Sequence, residues 1–189
     1  SDMNQPLGKN SGLWCEVQES IEFLKNNYRD ENLNEIIFKI CSIALEIKGE
    51  KNSKSLIENS ISSGKAYEIF EKMINSHKGN LKTSFINNIP KCEYVFNSKK
   101  AGYLNKIDTE QLGYMLLEIG GGRKKQNDIL DPTCGFEIYK KIGDKIERNE
   151  PIIKFFCSNK HKIEKVRKIE NEIITINNKL GKIPPMVYN

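Results

Sequence analysis

Gly120-Gly121-Gly122 followed by Arg123-Lys124-Lys125 supplies two ingredients of an anion site, unobstructed backbone amides and positive charge. A phosphate cradle needs its glycines after a strand and ahead of a helix, so that the helix N-terminus faces the anion. Here the order is inverted, because the glycines follow the helix-like run Leu112, Met115, Leu116 and Leu117. A helix stop and tight turn is the favoured reading, with Arg123 and Lys124 leaving anion binding open. The soft ligands and nucleophiles are five cysteines (Cys15, Cys41, Cys92, Cys134 and Cys157) and two histidines, His77 and His161. No two cysteines have the CxxC spacing of a metal knuckle, and the histidines fall on separate predicted helices. All five thiols read as reduced, several of them acting as small hydrophobes. Nothing supports a zinc site or a Cys–His nucleophile pair, and no paired acid and base stands out, so no catalytic residue is assigned.

A hairpin-like stretch, Gly143-Asp144-Lys145-Ile146-Glu147-Arg148-Asn149-Glu150-Pro151, resembles the turns of lipoyl- and biotinyl-carrier domains. Such domains present a modifiable lysine on an exposed hairpin. Lys106 is the one lysine in a strand-turn setting, and its neighbours Asn105 and Ile107 match neither carrier signature. The net charge is +5, from 30 basic and 25 acidic side chains mixed along the chain. The densest basic run, residues 161–168, alternates with apolar residues at helical spacing and lacks interleaved aromatics or an arginine stripe. It reads as a solvated helix face, so no nucleic-acid partner is expected. No apolar run approaches the roughly 20 residues that span a bilayer. No membrane partner is expected, and the expected location is the cytoplasm.

The elements that must position these residues divide the chain in two. Apolar residues recur at Leu13, Val17, Ile21 and Leu24, one helix face ending at Asn26-Asn27. Asn32 reads as an N-cap with Glu35 three residues on, ahead of a stripe of Ile36, Ile37, Ile40, Cys41, Ala44 and Leu45. A third helix carries Leu56, Ile57 and Ile61 and stops at Gly64; a fourth turns Ala66, Ile69, Phe70, Met73 and Ile74 inward. After Pro90, Glu93 to Phe96 and Gly102 to Ile107 read as strands, and Asp108 opens a helix. Strands Gly135 to Tyr139 and Ile152 to Cys157 follow, then a helix bearing Ile163, Val166, Ile169, Ile173 and Ile176. The domains are therefore placed at 1–90, mostly helical, and 91–189, mixed, with the boundary within 80–95.

Periodicity does not explain Asp2-Met3-Asn4-Gln5-Pro6-Leu7-Gly8 with Gly12 and Glu16-Val17-Gln18-Glu19. This segment resembles one found in pyrimidine-nucleoside phosphorylases, closest to their thymidine-phosphorylase branch. The similarity continues in order through Phe23-Leu24-Lys25, Ser63-Gly64-Lys65-Ala66, Lys100-Ala101-Gly102-Tyr103, Gly120 to Arg123, Lys141-Ile142-Gly143-Asp144 and the Pro-Pro-x-Val-Tyr ending. Leu13-Trp14-Cys15 and Thr133-Cys134-Gly135-Phe136-Glu137 depart from the family pattern. The resemblance implies an α/β (α+β) fold, the helical portion of the family's α/β domain followed by a hammerhead-like C-terminal domain with a curled antiparallel sheet.

It also implies nucleoside salvage chemistry, in which inorganic phosphate attacks the anomeric carbon of thymidine to give thymine and 2-deoxyribose 1-phosphate. The partners of the complete enzyme would be phosphate and a pyrimidine deoxynucleoside. In the family a Lys-His-Ser stretch, a Ser/Thr phosphate loop and base-holding Arg, Ser and Lys precede the Asp-Met-Asn segment, and none is found in this sequence. The opening Ser1-Asp2-Met3 reads either as an initiator behind two extra residues or as a cut from a longer, homodimeric enzyme whose main dimer-forming region lies elsewhere. Some family members bind a potassium-like ion through the carbonyls of Leu7 and Asn10 and the carboxylate of Glu19, in this chain's numbers; no other cofactor is implied. The competing reading is a non-catalytic binding or assembly module that retains the family's C-terminal domain. Because every phosphate and base contact of the family is missing from the sequence, the purified 189-residue chain should release no thymine from thymidine and phosphate. A chromatographic assay for free thymine checks this, and robust phosphate-dependent release would refute it.

Overall fold

The computed structural model describes residues 1–169 and 173–188. The chain forms two compact units. One comprises Val17–Asn87 with a few terminal residues; the other comprises Asp2–Glu16 together with Asn88–Pro185. The first sixteen residues thus fold, almost entirely, with the second half of the chain.

The chain opens with strand β1 (Asn10–Gly12) and helix α1 (Trp14–Leu24), whose body from Val17 onward belongs to the helical unit. Helices α2 (Glu31–Ile47), α3 (Ser53–Ser62), α4 (Lys65–Ser76) and α5 (Leu81–Asn87) complete that unit. The N-cap of α2 is Asp30 and not Asn32: its carboxylate accepts from the backbone amides of Asn32 and Leu33, both at 3.1 Å. Asn32 therefore lies inside the first turn. Gly64, in the left-handed conformation, separates α3 from α4 as the sequence suggests. Phe23, Ile57 and Ile61 are buried, with Leu33, Ile37, Phe38, Cys41, Leu45 and Ala66 packed around them. Arg29 forms a bidentate pair with Glu58, at 2.7 and 2.9 Å, which ties the loop after α1 to α3.

The apolar stripes expected to be core are buried only in part. Ile40 is 61% exposed, Ile69 64% and Met73 47%, and no α4 residue is fully buried. No described strand belongs to this unit. An open hollow of about 700 Å³ remains among α1 to α4, walled by Phe23, Leu33, Ile37, Leu45 and Phe70.

The second unit contains β2 (Cys92–Asn97), β3 (Gly102–Ile107), α6 (Thr109–Ile119), β4 (Gly135–Ile138), β5 (Lys145–Ile146), β6 (Pro151–Cys157), α7 (Lys160–Ile169) and β7 (Ile174–Asn177). One antiparallel sheet has the order β1-β4-β6-β2 and a second the order β5-β3-β7. The unit is therefore mixed α/β with antiparallel sheets, as expected. β6, Pro-Ile-Ile-Lys-Phe-Phe-Cys, is apolar between Pro151 and Cys157 apart from Lys154, with β4 and β2 paired along its two edges and helix α7 packed on it. Phe155, Ile152, Ile153, Leu104, Met115 and Ile119 are completely buried, and the Phe155 ring lies 5.7 Å from that of Phe136.

Two local readings need correction. Ile173 and Ile176 do not continue α7, which ends at Ile169; Ile176 lies in β7, paired with Leu104 of β3. The run Ile173-Ile174-Thr175-Ile176 is β-branched throughout, and that stiffness favours the strand. Residues 170–172, which the expected helix would cross, lie outside the described residues. Lys106 stands within β3 opposite Thr175 and not on a hairpin tip, which removes the carrier reading.

Gly12 shows why β1 is built from Asn-Ser-Gly. Its φ is 156°, and a Cβ there would meet the Cys134 carbonyl oxygen at 2.5 Å. Only glycine lets this strand approach β4 so closely. Phe155→Ala should lower unfolding free energy by about 3–5 kcal/mol, whereas Ile40→Ala should cost under about 1 kcal/mol. Urea denaturation followed by circular dichroism measures both.

Candidate functional site

The segment ahead of β1 turns several of its backbone carbonyls toward one group. Asp2 turns the chain by accepting from the Asn4 amide at 3.1 Å and from the Asn4 side chain at 2.6 Å. Gln5 is buried, and its side-chain oxygen accepts from the Ile142 amide at 2.9 Å. Pro6 has no N–H to give. The carbonyls of Pro6, Leu7 and Gly8 then converge on one group, the Lys141 ammonium, which donates to them at 3.1, 2.8 and 3.0 Å. Immediately afterwards the Lys9 carbonyl accepts from the Ile138 amide at 2.7 Å, and β1 runs antiparallel to β4.

Lys141 is delivered by the Lys141-Ile142-Gly143-Asp144 turn that follows β4. Asp144 accepts from the Lys141 amide through its carboxylate at 2.7 Å, and its own amide donates to the Lys141 carbonyl at 3.1 Å. Gly143 takes φ of 102°, a conformation strained for any residue with a Cβ. The Gly143 amide donates to the Leu104 carbonyl at 2.8 Å, and the Leu104 amide donates to Asp144 at 3.0 Å. The turn is thereby fastened to β3, with Asp144 exposed as expected. Beside it, Glu137 accepts from Lys9 at 2.7 Å, Lys154 at 2.9 Å and the Tyr139 hydroxyl at 3.0 Å. Burial pushes the Glu137 carboxyl up, but Lys9 and Lys154 outweigh it and hold the group below its ordinary value.

Of the three residues assigned to an alkali ion, Leu7 sits on this turn with its carbonyl already engaged by Lys141. Asn10 begins β1 opposite Glu137, in the same unit. Glu19 stands on α1, in the helical unit. Sequence reasoning singled out Lys141 only as part of a motif. The signal that would have found it is a Lys-x-Gly-Asp turn together with a Pro-Leu-Gly segment, a cation and a set of carbonyls.

The glycine–lysine loop proves to be a helix stop. Gly120 caps α6 in the left-handed conformation, and its amide donates to the Leu116 and Leu117 carbonyls. The Lys124 and Lys125 amides, which could have faced an external anion, donate to the Asp128 carboxylate at 3.0 and 2.9 Å. The Lys124 ammonium pairs with Glu118. Downstream, Asp131 ties two loops together. It accepts from the Thr133 amide and hydroxyl at 3.0 and 2.7 Å, and from the Ser158 amide at 3.2 Å and hydroxyl. Burial pushes the Asp131 carboxyl up, yet the Ser158 and Thr133 donors prevail and hold it at about 2.

The cysteines are all free thiols. Cys92 lies opposite Cys157 across the β2–β6 pair, and Cys134 donates to the Ile119 carbonyl at 2.8 Å. Hydrogen bonding with Cys157, and then burial, push the Cys134 thiol far up, so it stays protonated. His77 is exposed at the end of α4, with Nδ1 2.9 Å from the Met73 carbonyl oxygen, and His161 is exposed on α7. Among the described residues no cluster of three or more His, Cys, Asp or Glu is placed to hold a metal. Among the same residues no helix is long and apolar enough to cross a membrane.

Residues 103–177 match the model of the pyrimidine nucleoside phosphorylase C-terminal domain. The match runs from β3 to the end of β7 and so takes in the Lys141 turn, the Asp131 clamp and the central strand β6. This part of the chain is thus similar to the C-terminal domain of pyrimidine nucleoside phosphorylases.

The Asp131 clamp has a testable pH signature. Its folded value lies below the unfolded value of about 3.9. Its contribution is therefore present above pH 4 and is lost as pH falls through about 2. Asp131→Asn should lower stability at neutral pH and flatten the loss of stability between about pH 4 and 2. Thermal melts across that range read both effects.

Proposed function

We propose that this chain is the C-terminal part of a thymidine phosphorylase, its helical unit and family-specific domain completing an enzyme whose phosphate and base contacts come from residues outside the given sequence. The observation that carries this reading is the family match over residues 103–177, on a unit that also incorporates residues 2–16. The ordered motif resemblance beginning at Asp2-Met3-Asn4 supports extending it to the first half.

In the complete enzyme, inorganic phosphate would attack the anomeric carbon as the C1′–N1 bond breaks. The base would depart as an anion needing a proton or a cationic clamp, and 2-deoxyribose 1-phosphate would remain. Such catalysis depends on positioning and on donors aimed at developing charge. This chain would supply the scaffold against which those groups are held. The Lys141 turn and β1 would fix the course of the backbone that enters α1. The alternative, a non-catalytic binding or assembly module, shares the family domain and differs in requiring no catalytic partner.

Co-expression with a chain bearing the family's Lys-His-Ser segment tests the proposal. Thymine release should appear only when both parts are present, and thymidine should be preferred over uridine. A stable, stoichiometric complex without phosphorolysis would favour the assembly reading, and preference for uridine would overturn the thymidine assignment.

A further inference from the structure

We infer that the Lys141 ammonium is the resident cation of the Pro6–Gly8 carbonyl turn and takes the place that a free alkali ion would need at Leu7. The Lys141 contacts lie within one unit, and the comparison with an alkali ion at Leu7 rests on the resemblance to phosphorylases.

A turn that gathers three carbonyl oxygens is electronegative, and Pro6 removes one of the amides that could have offset it. Left to itself, such a turn either splays open to water or recruits a cation with a preference for hard oxygen ligands. Lys141 answers the same requirement covalently. Its charge lies 2.8 to 3.1 Å from all three oxygens. That span is ordinary for ammonium-to-carbonyl hydrogen bonds. An alkali ion on the Leu7 oxygen would share that oxygen with a fixed positive charge, which like-charge repulsion disfavours.

The placement of Lys141 is over-determined. The Asp144 carboxylate and amide hold its backbone, Gly143 supplies the left-handed turn, and Gln5 secures the adjacent Ile142 amide. The stem therefore reaches the turn from an anchored base. Lysine suits the role because its ammonium is a compact point charge with rotatable donors, whereas the planar arginine fork would not match three carbonyls on one turn.

The test compares thermal melts of the 189-residue protein and Lys141→Ala in potassium chloride and choline chloride at equal ionic strength. The wild-type midpoint should be the same in both salts. Lys141→Ala should melt several degrees lower in choline chloride and recover part of the loss in potassium or ammonium chloride, where a small cation can enter the vacated space. A potassium-specific rise in the wild type overturns the inference. So does a variant that melts like the wild type, or a loss that neither small cation restores. Should Lys141→Ala not fold, acylation of the wild type by an N-hydroxysuccinimide ester decides the matter. Lys141 should react far more slowly than Lys145, whose side chain is 70% exposed, and equal rates would refute the inference.

Discussion

The free edge of β4 is the constraint around which the sheet-bearing unit is organised. β6 occupies one side of β4, and the other would present unpaired amides and carbonyls if β1 did not cover it. A strand of only three residues has little pairing strength of its own. It is held by what surrounds it: the close approach permitted by Gly12, the Lys9 ion pair with Glu137, and the Lys141 ammonium just upstream. The start of α1 depends on the same arrangement. Glu16 accepts from the Gly12 amide at 2.7 Å, while the Leu13 and Trp14 amides donate to the Cys134 and Pro132 carbonyls. Donors exposed at a helix start are thus satisfied by the loop that precedes β4.

Two places where the sequence offered a site for an external ion are served by the chain's own charges. The carbonyls of the Pro-Leu-Gly turn meet the Lys141 ammonium, and the amides of the glycine–lysine loop meet the Asp128 carboxylate. Both are turns whose backbone groups point one way and create a local charge demand. Neutral amide and hydroxyl donors hold Asp131, whose two oxygens join the loop before β4 to the loop after β6. The polar connections of this unit are consequently internal and directional, and they define the loops as closely as the apolar core defines the strands.

Much of the second half could be read in the sequence because its signals are local. Gly102 to Ile107, the Asp108 cap, the Gly120 stop and the Gly143-Asp144 turn each rest on the intrinsic preference of a few residues, and the structure places them there. The misreadings arise where non-local factors decide. Asn-Ser-Gly has no strand propensity, so β1 exists only because β4 lies beside it. Ile173 and Ile176 have a spacing that also fits a helix, and pairing with β3 chooses otherwise. Apolar periodicity identified the helix faces of α2 and α4 without revealing how little of them this unit covers. The motif that contains Lys141 did not show what Lys141 does, since its role depends on a turn more than 130 residues earlier in the chain.

The union of β1 with β4 has a kinetic side. Asn10 and Glu137 are partners, so 126 residues intervene between them. A ribosome adding roughly 5–20 residues per second would leave the first strand without its mate for several seconds to tens of seconds. The helices α1 to α5 consist of sequence-local contacts and can form during that interval. Closing so long a loop is the slow kind of contact, since chain entropy must be lost before any pairing compensates for it. The helical unit can therefore form before β1 is paired with β4.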